Sequence, residues 1–229
     1  MRFSWWLLGA VLIAAAASTA PLLHSIAQAP EPATPGPGNG TSAAPSVPLP
    51  RPKPGPTTTP VPGAPPPWLQ PGDPFGADAT LEAKTIVSIS GTSGWDNAFA
   101  TLQGAFKAID RYLERQKIAA VGQRLIIYTQ NDDTGFHYQA AVPVADGVKI
   151  PRGEVTLGKS PAGKMLKFIH RGSYDAMDAT YEAITNYLDE KRIETQDMFI
   201  EEYLTDPLKT PPDQLVVTVY VPLKPPPPP

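Results

Sequence analysis

The stretch Arg111-Tyr-Leu-Glu-Arg-Gln-Lys-Ile118 returns as Asn186-Tyr-Leu-Asp-Glu-Lys-Arg-Ile193, and the match continues on both sides at the same offset. A chain that repeats itself on this scale must fold as two similar units sharing one core. Phe99, Leu102, Phe106, Ile109 and Leu113 fall on one helix face, and Tyr174, Met177, Tyr181, Ile184 and Leu188 take the equivalent places in the second copy. Each helix runs into a strand, Arg124 to Tyr128 and Phe199 to Tyr203, which makes Tyr128 and Tyr203 equivalent. The copies differ where the first has Ile126 and Ile127 and the second has Glu201 and Glu202. Differences between copies are where function is expected.

The repeat lies in residues 76–224 of the 229, enough chain for one domain with a real core. Net charge is -3 and the pI is near 5.6, with Lys and Arg scattered. That leaves no basic footprint, so direct nucleic-acid contact is not expected. With no cysteine there is no disulfide, thiolate metal site, cysteine nucleophile or lipoprotein anchor.

At the amino terminus Arg2 precedes the apolar run Trp5 to Ala17, near the length of a signal h-region and short for a span of about 20 residues. Residues 1–28 therefore read as a signal peptide, with small residues at Ser25-Ile-Ala27 or Ala15 to Ala17 for cleavage, or as an uncleaved membrane anchor. Residues 29–75 are rich in Pro, Gly, Ala, Thr and Ser and are expected to form a disordered, extended linker. Pro225 to Pro229 ends the last strand. These features imply an exported domain in the periplasm or cell envelope, secreted or tethered, touching membrane only through its N-terminal segment.

Within the domain, the first half (81–144) is expected to use a strand over Leu81 to Ser90, a turn at Gly91-Thr-Ser-Gly94, a helix capped at Asp96 or Asn97 and ending near Gln116, then strands over 125–130 and 136–144 around an Asn131 to Gly135 turn. The second half (153–223) is expected to use strands over 153–158 and 165–170, a turn at Arg171-Gly172, a helix from Ser173 to about Lys191, and strands over 198–204 and 214–223. The fold class is α+β. Two strand-helix-strand-strand units form one curved antiparallel sheet, both helices cover one side, and a ligand cleft is expected on the other.

The order Lys167-Phe-Ile-His-Arg-Gly-Ser-Tyr174, helix, Ile200-Glu-Glu-Tyr-Leu-Thr-Asp-Pro207, Thr210-Pro-Pro-Asp213 and Val219-Tyr-Val-Pro222 resembles the GyrI-like effector-binding domain family over residues 81–223. The resemblance implies a duplicated α+β fold around a pocket for amphipathic or cationic small molecules, often the sensor part of a transcription regulator and in a few relatives a hydrolase. It places the family's glutamate on Glu201 and its tyrosine on Tyr203. What precedes the domain here is a signal and a spacer rather than a helix-turn-helix, so a role in the envelope is expected in place of direct DNA contact.

A carboxylate among aromatic rings attracts a delocalised cation through charge and ring faces together. Alternation puts Phe199, Glu201 and Tyr203 on one sheet face, and Ile200, Glu202 and Leu204 on the other. Ile200 and Leu204 are expected against the helices, which turns Glu201 toward the free face and leaves Glu202 near an edge or paired with Lys or Arg. Candidate ligand-binding residues are Glu201, Tyr203, Tyr174, Trp95, Phe136, Tyr138, Phe168 and Tyr220. Phe99 serves core or cleft equally well. His170 reads as structural, and His137 has no metal-ligand companion. Ser93, Ser160 and Ser173 lack a nucleophile context, and Asp132-Asp133 reads as a turn.

No metal or cofactor is expected. The chain reads as a binder of small molecules. A hydrolase using Glu201 as general base with Tyr203 donating a hydrogen bond is one alternative. A ligand-free envelope interaction domain or a haem-binding relative is the other.

Overall fold

The computed structural model describes residues 66–131, 134–150 and 153–225. The signal or anchor, most of the linker, the Asp132-Asp133 turn and the end of the proline tail lie outside them. The elements are β1 (Phe75–Leu81), β2 (Thr85–Gly94), α1 (Ala98–Gln116), β3 (Arg124–Asn131), β4 (Gly135–Pro143), β5 (Thr156–Lys159), β6 (Gly163–Gly172), α2 (Met177–Lys191), β7 (Phe199–Tyr203) and β8 (Leu215–Pro222). A 3-10 turn leads into each helix, at Trp95–Asn97 and Tyr174–Ala176.

All eight strands form one antiparallel sheet in the order β1-β6-β8-β7-β3-β4-β2-β5. The units β2-α1-β3-β4 and β6-α2-β7-β8 join along the central β3–β7 pair. There the register sets Arg124 against Tyr203, Ile126 against Glu201 and Tyr128 against Phe199. With the helices and these strands offset by 75 residues, Ile126 and Glu201 are equivalent positions facing each other on a pseudo-two-fold axis. The strand before each unit crosses over: β1 edges the second unit on β6, and β5 edges the first on β2.

Both helices bury the stripes their sequences set out. Leu102, Phe106, Ile109 and Leu113 of α1 and Met177, Tyr181, Ile184 and Leu188 of α2 share one core with Val87, Ile126, Tyr128, Phe168, Phe199, Tyr203, Val217 and Val219. Both helices end at equivalent residues in the left-handed conformation, Lys117 (φ 56°) and Arg192 (φ 53°), whose N–H groups return to carbonyls of the last turn. The other sheet face carries a smaller buried cluster of Ile86, Leu125, Ile127, Ala141, Met165, Ile200 and Tyr220.

Three local expectations need correction. The strand expected over Leu81 to Ser90 is two strands, since the chain leaves β1 after Leu81 and enters β2 at Thr85. Gly91 to Gly94 is not a turn but the end of β2, as Arg171-Gly172 is the end of β6. Glycine serves close approach there: a Cβ on Gly91 would stand 2.8 Å from the hydroxyl of the facing Tyr138, and one on Gly135, which faces Gly94, only 2.1 Å from the Ser93 carbonyl oxygen. Finally, the linker does not run free to residue 75. Phe75 packs edge-on against Phe168 and Tyr187, and Asp73 pairs with Arg171.

The face assignment of β7 is also reversed. Phe199, Glu201 and Tyr203 point toward the helices, whereas Ile200 sits in the second cluster and Leu204 is largely exposed. Aromatic volume decides it. Tyr203 meets the Phe106 ring edge-on at 5.7 Å and Phe199 meets Tyr181 at 5.5 Å, filling the thicker layer under the helices, and the smaller Ile200 goes to the thinner one.

Candidate functional site

Glu201 lies at the centre of the sheet, fully buried beneath the helices. Tyr181, from α2, donates its hydroxyl to Oε1 at 2.7 Å, and Tyr203, two residues along β7, donates to Oε2 at 2.8 Å. Tyr128, from β3, stands close by, and its hydroxyl lies 3.2 Å from that of Tyr174. Among the described residues only tyrosine hydroxyls bond this carboxylate; no Lys, Arg or His neutralises it. Burial pushes the Glu201 carboxyl up to about 6, and the tyrosine hydrogen bonds hold it back from rising further. Burial and the neighbouring carboxylate push the hydroxyls of all four tyrosines far above their ordinary range, so they remain donors.

The pseudo-symmetry shows how the site is built. Tyr128 and Tyr203 are equivalent; Tyr203 bonds Glu201, and Tyr128 bonds Tyr174. The second half adds three polar substitutions: Glu201 for Ile126, Tyr181 for Phe106, and Tyr174 for Phe99. Phe106 carries the Arg124 guanidinium over its ring at 5.8 Å, in the place where Tyr181 meets Phe199. Phe99 and Tyr174 stack on each other across the axis at 4.8 Å and 15°.

A cavity of about 430 Å³ opens at the start of both helices, lined by Trp95, Asp96, Phe99, Ala100, Tyr174 and Asp175 among others. Trp95 packs on Phe136 at 4.7 Å, and Phe136 on Tyr128 at 5.4 Å. Tyr174 thus joins this mouth to Tyr128. Helix N-termini carry partial positive charge, but Asp96, Asp175 and Asp178 in the first turns offset it. Burial and nearby Asp175 push Asp178 up to about 6. The cavity mouth is therefore acidic and aromatic, and the Glu201 carboxylate is shielded from water.

Of the residues expected at the site, Glu201, Tyr203 and Tyr174 converge, with Trp95 and Phe136 as wall. Tyr138 packs behind Phe136. Phe168 does not join them; it packs on Phe75 and Tyr187. Nor does Tyr220, which lies on the opposite face and donates its hydroxyl to Glu202 at 2.9 Å. Period-two alternation separates Tyr220 from Val219 and Val221, which face the helices. Glu202 is paired, with Lys84 Nζ at 3.1 Å.

Tyr128 and Tyr181 complete the site and were not singled out for it. Their signals were Tyr128's equivalence to Tyr203 and a tyrosine on the α2 stripe where α1 has Phe106. His170 is structural: Nε2–H donates to the Ser173 carbonyl at 3.0 Å, and Nδ1 accepts from the Thr180 hydroxyl at 2.7 Å. No cluster of three metal-ligating side chains occurs among the described residues.

The fold is a single α+β domain with aromatic side chains gathered around a buried carboxylate. Residues 79–224 match the GyrI-like small molecule binding domain family, and the chain belongs to it. No curated protein matches the sequence. Among solved structures, the chain resembles EcmrR in a cryo-EM complex with DNA, at 12% identity and TM-score 0.57, over 65% of this chain and 56% of that one. It resembles the crystal structure of the EcmrR C-terminal domain at 12% identity and TM-score 0.52, over 65% and 96%. The structure of SAV2435 bound to tetraphenylphosphonium aligns at 17% identity and TM-score 0.46, over 65% and 93%. The two EcmrR likenesses establish the fold.

Proposed function

We propose that this domain binds amphipathic cations, with Glu201 as counter-ion and Tyr128, Tyr174, Tyr181 and Tyr203 as its polar and aromatic cage. The observation that carries this reading is a fully buried carboxylate whose only bonded partners among the described residues are tyrosine hydroxyls. A buried charge without a counter-charge is costly, and a cation entering the site recovers that cost. The apolar run near residues 5–17 and the proline-rich stretch after it support an exported or membrane-tethered setting, in which the domain samples small molecules of the envelope.

The test is a pair of ions alike in shape and opposite in charge. Tetraphenylphosphonium is expected to bind and tetraphenylborate to bind at least 100-fold more weakly. This difference reflects about 3 kcal/mol of charge interaction in a partly screened interior. Glu201→Gln is expected to collapse the discrimination. Equal affinity for both ions in the wild-type protein would rule out the counter-ion role.

A second reading rests on the same carboxyl. Pushed up to about 6 and placed beside the Tyr203 hydroxyl at 2.8 Å, Glu201 is poised for general-base work on an electrophilic ligand. Turnover of a bound electrophile, lost in Glu201→Gln, would favour it over binding alone.

A further inference from the structure

The chain that enters the domain is gripped at the strand end that leads into the pocket. Three consecutive residues of β6 hold it. Ile169 N–H donates to the Pro74 carbonyl at 3.1 Å. The Trp68 ring packs beside His170, with centroids 6.4 Å apart. Arg171 makes a two-pronged ion pair with Asp73, both bonds at 2.8 Å. Gly172, the last residue of β6, takes a φ of 125°, a conformation open only to glycine, and is followed by Ser173 and Tyr174. The Ser173 carbonyl is held by His170, and Tyr174 lines the cavity while touching Tyr128. In the first unit the register of β2 on β4 puts Thr92 at the position of Arg171 and Ser93 at that of Gly172, and Ser93 bonds Thr101 and the Gly94 carbonyl. Among the described residues, then, this ion-paired grip occurs on the half that supplies Glu201 and Tyr174.

We propose that residues 66–75 form a clasp whose hold on β6 is coupled to occupancy of the pocket, so that ligand binding is passed to the N-terminal chain. The inference rests on the pocket reading above. A cation reaching Glu201 must part Tyr174 from Tyr128. Tyr174 moves with the Ser173 carbonyl, which loosens His170 and with it the surface on which Trp68 rests. Coupling between two sites is reciprocal. Release of the clasp must therefore raise ligand affinity by the factor with which ligand favours release.

The experiment uses the whole chain and tetraphenylphosphonium as probe. Asp73→Asn is expected to tighten binding about fivefold, the low end for coupled sites. The charge-swapped double variant Asp73→Arg with Arg171→Asp is expected to restore wild-type affinity. Amide exchange in residues 66–75 is expected to rise when the probe binds the wild-type protein. Binding by the wild type with unchanged affinity in Asp73→Asn and unchanged exchange would overturn the clasp and leave the pocket standing. No binding by the wild type would overturn both.

Discussion

Replacing Glu201 with glutamine removes a charge and keeps the shape, and its clearest effect is on how stability depends on pH. In the fold Glu201 titrates at about 6 against an ordinary 4.5, so below pH 6 the native state holds more protons at this site than the unfolded chain. A raised carboxyl pKa therefore adds stability as pH falls through 6, and this contribution is absent at neutral pH. His170 acts oppositely. Burial lowers it from 6.5 to about 4, so the native state holds fewer protons and loses stability as pH falls below 6.5.

From pH 7 to pH 5, linkage gives about +1 kcal/mol from Glu201 and about -2 kcal/mol from His170. Asp178, also raised to about 6, adds in the direction of Glu201 and is common to both proteins. In Glu201→Gln the first contribution disappears. The variant is expected to lose about 1 kcal/mol more than the wild type between pH 7 and pH 5, read by urea denaturation at both values. The same loss in the two proteins would mean that Glu201 is not an ionising, desolvated group, and the electrostatic reasoning would fail with it.

Glu202→Gln, on the opposite face and already paired with Lys84 and Tyr220, is expected to change tetraphenylphosphonium affinity less than twofold by calorimetry. Tyr181→Phe copies the first-half residue Phe106 and removes the 2.7 Å hydrogen bond to Glu201. It should raise the Glu201 pKa above 6, seen in a carboxyl NMR titration, and lower stability at pH 7 by about 2 kcal/mol. Lys117→Gly relieves a left-handed backbone at φ 56° and should stabilise the domain by about 1 kcal/mol in the same denaturation assay.

Much of this architecture is legible in the sequence because the repeat and the two helix stripes constrain each other. Phe99 to Leu113 and Tyr174 to Leu188 could bury their apolar sides only against one shared sheet, and equivalent strands then had to meet at its centre. The face of β7 was not legible. Ile200 and Leu204 look more core-like than Glu201, but hydrophobicity alone does not say which side of a sheet has room for Phe199 and Tyr203. Packing volume under the helices settled it and carried Glu201 inside. β1 was hidden because Phe75 to Leu81 borrows its stability from β6 of the other unit, a long-range pairing that leaves little local pattern. Gly91 to Gly94 read as a turn because glycine signals close backbone approach as well as tight turns, and here Tyr138 occupies the space.

The most direct test of the central claim is the number of protons released when tetraphenylphosphonium binds at pH 5.5, measured by calorimetry in buffers of different ionisation enthalpy. The probe itself carries no titratable proton. With Glu201 at about 6, roughly three-quarters of the free protein holds a proton there, and pairing with a cation should expel it. Release of about 0.7 proton per cation bound is expected, falling to near zero in Glu201→Gln. Binding without proton release in the wild type would place the cation elsewhere and contradict the assignment of Glu201 as its counter-ion.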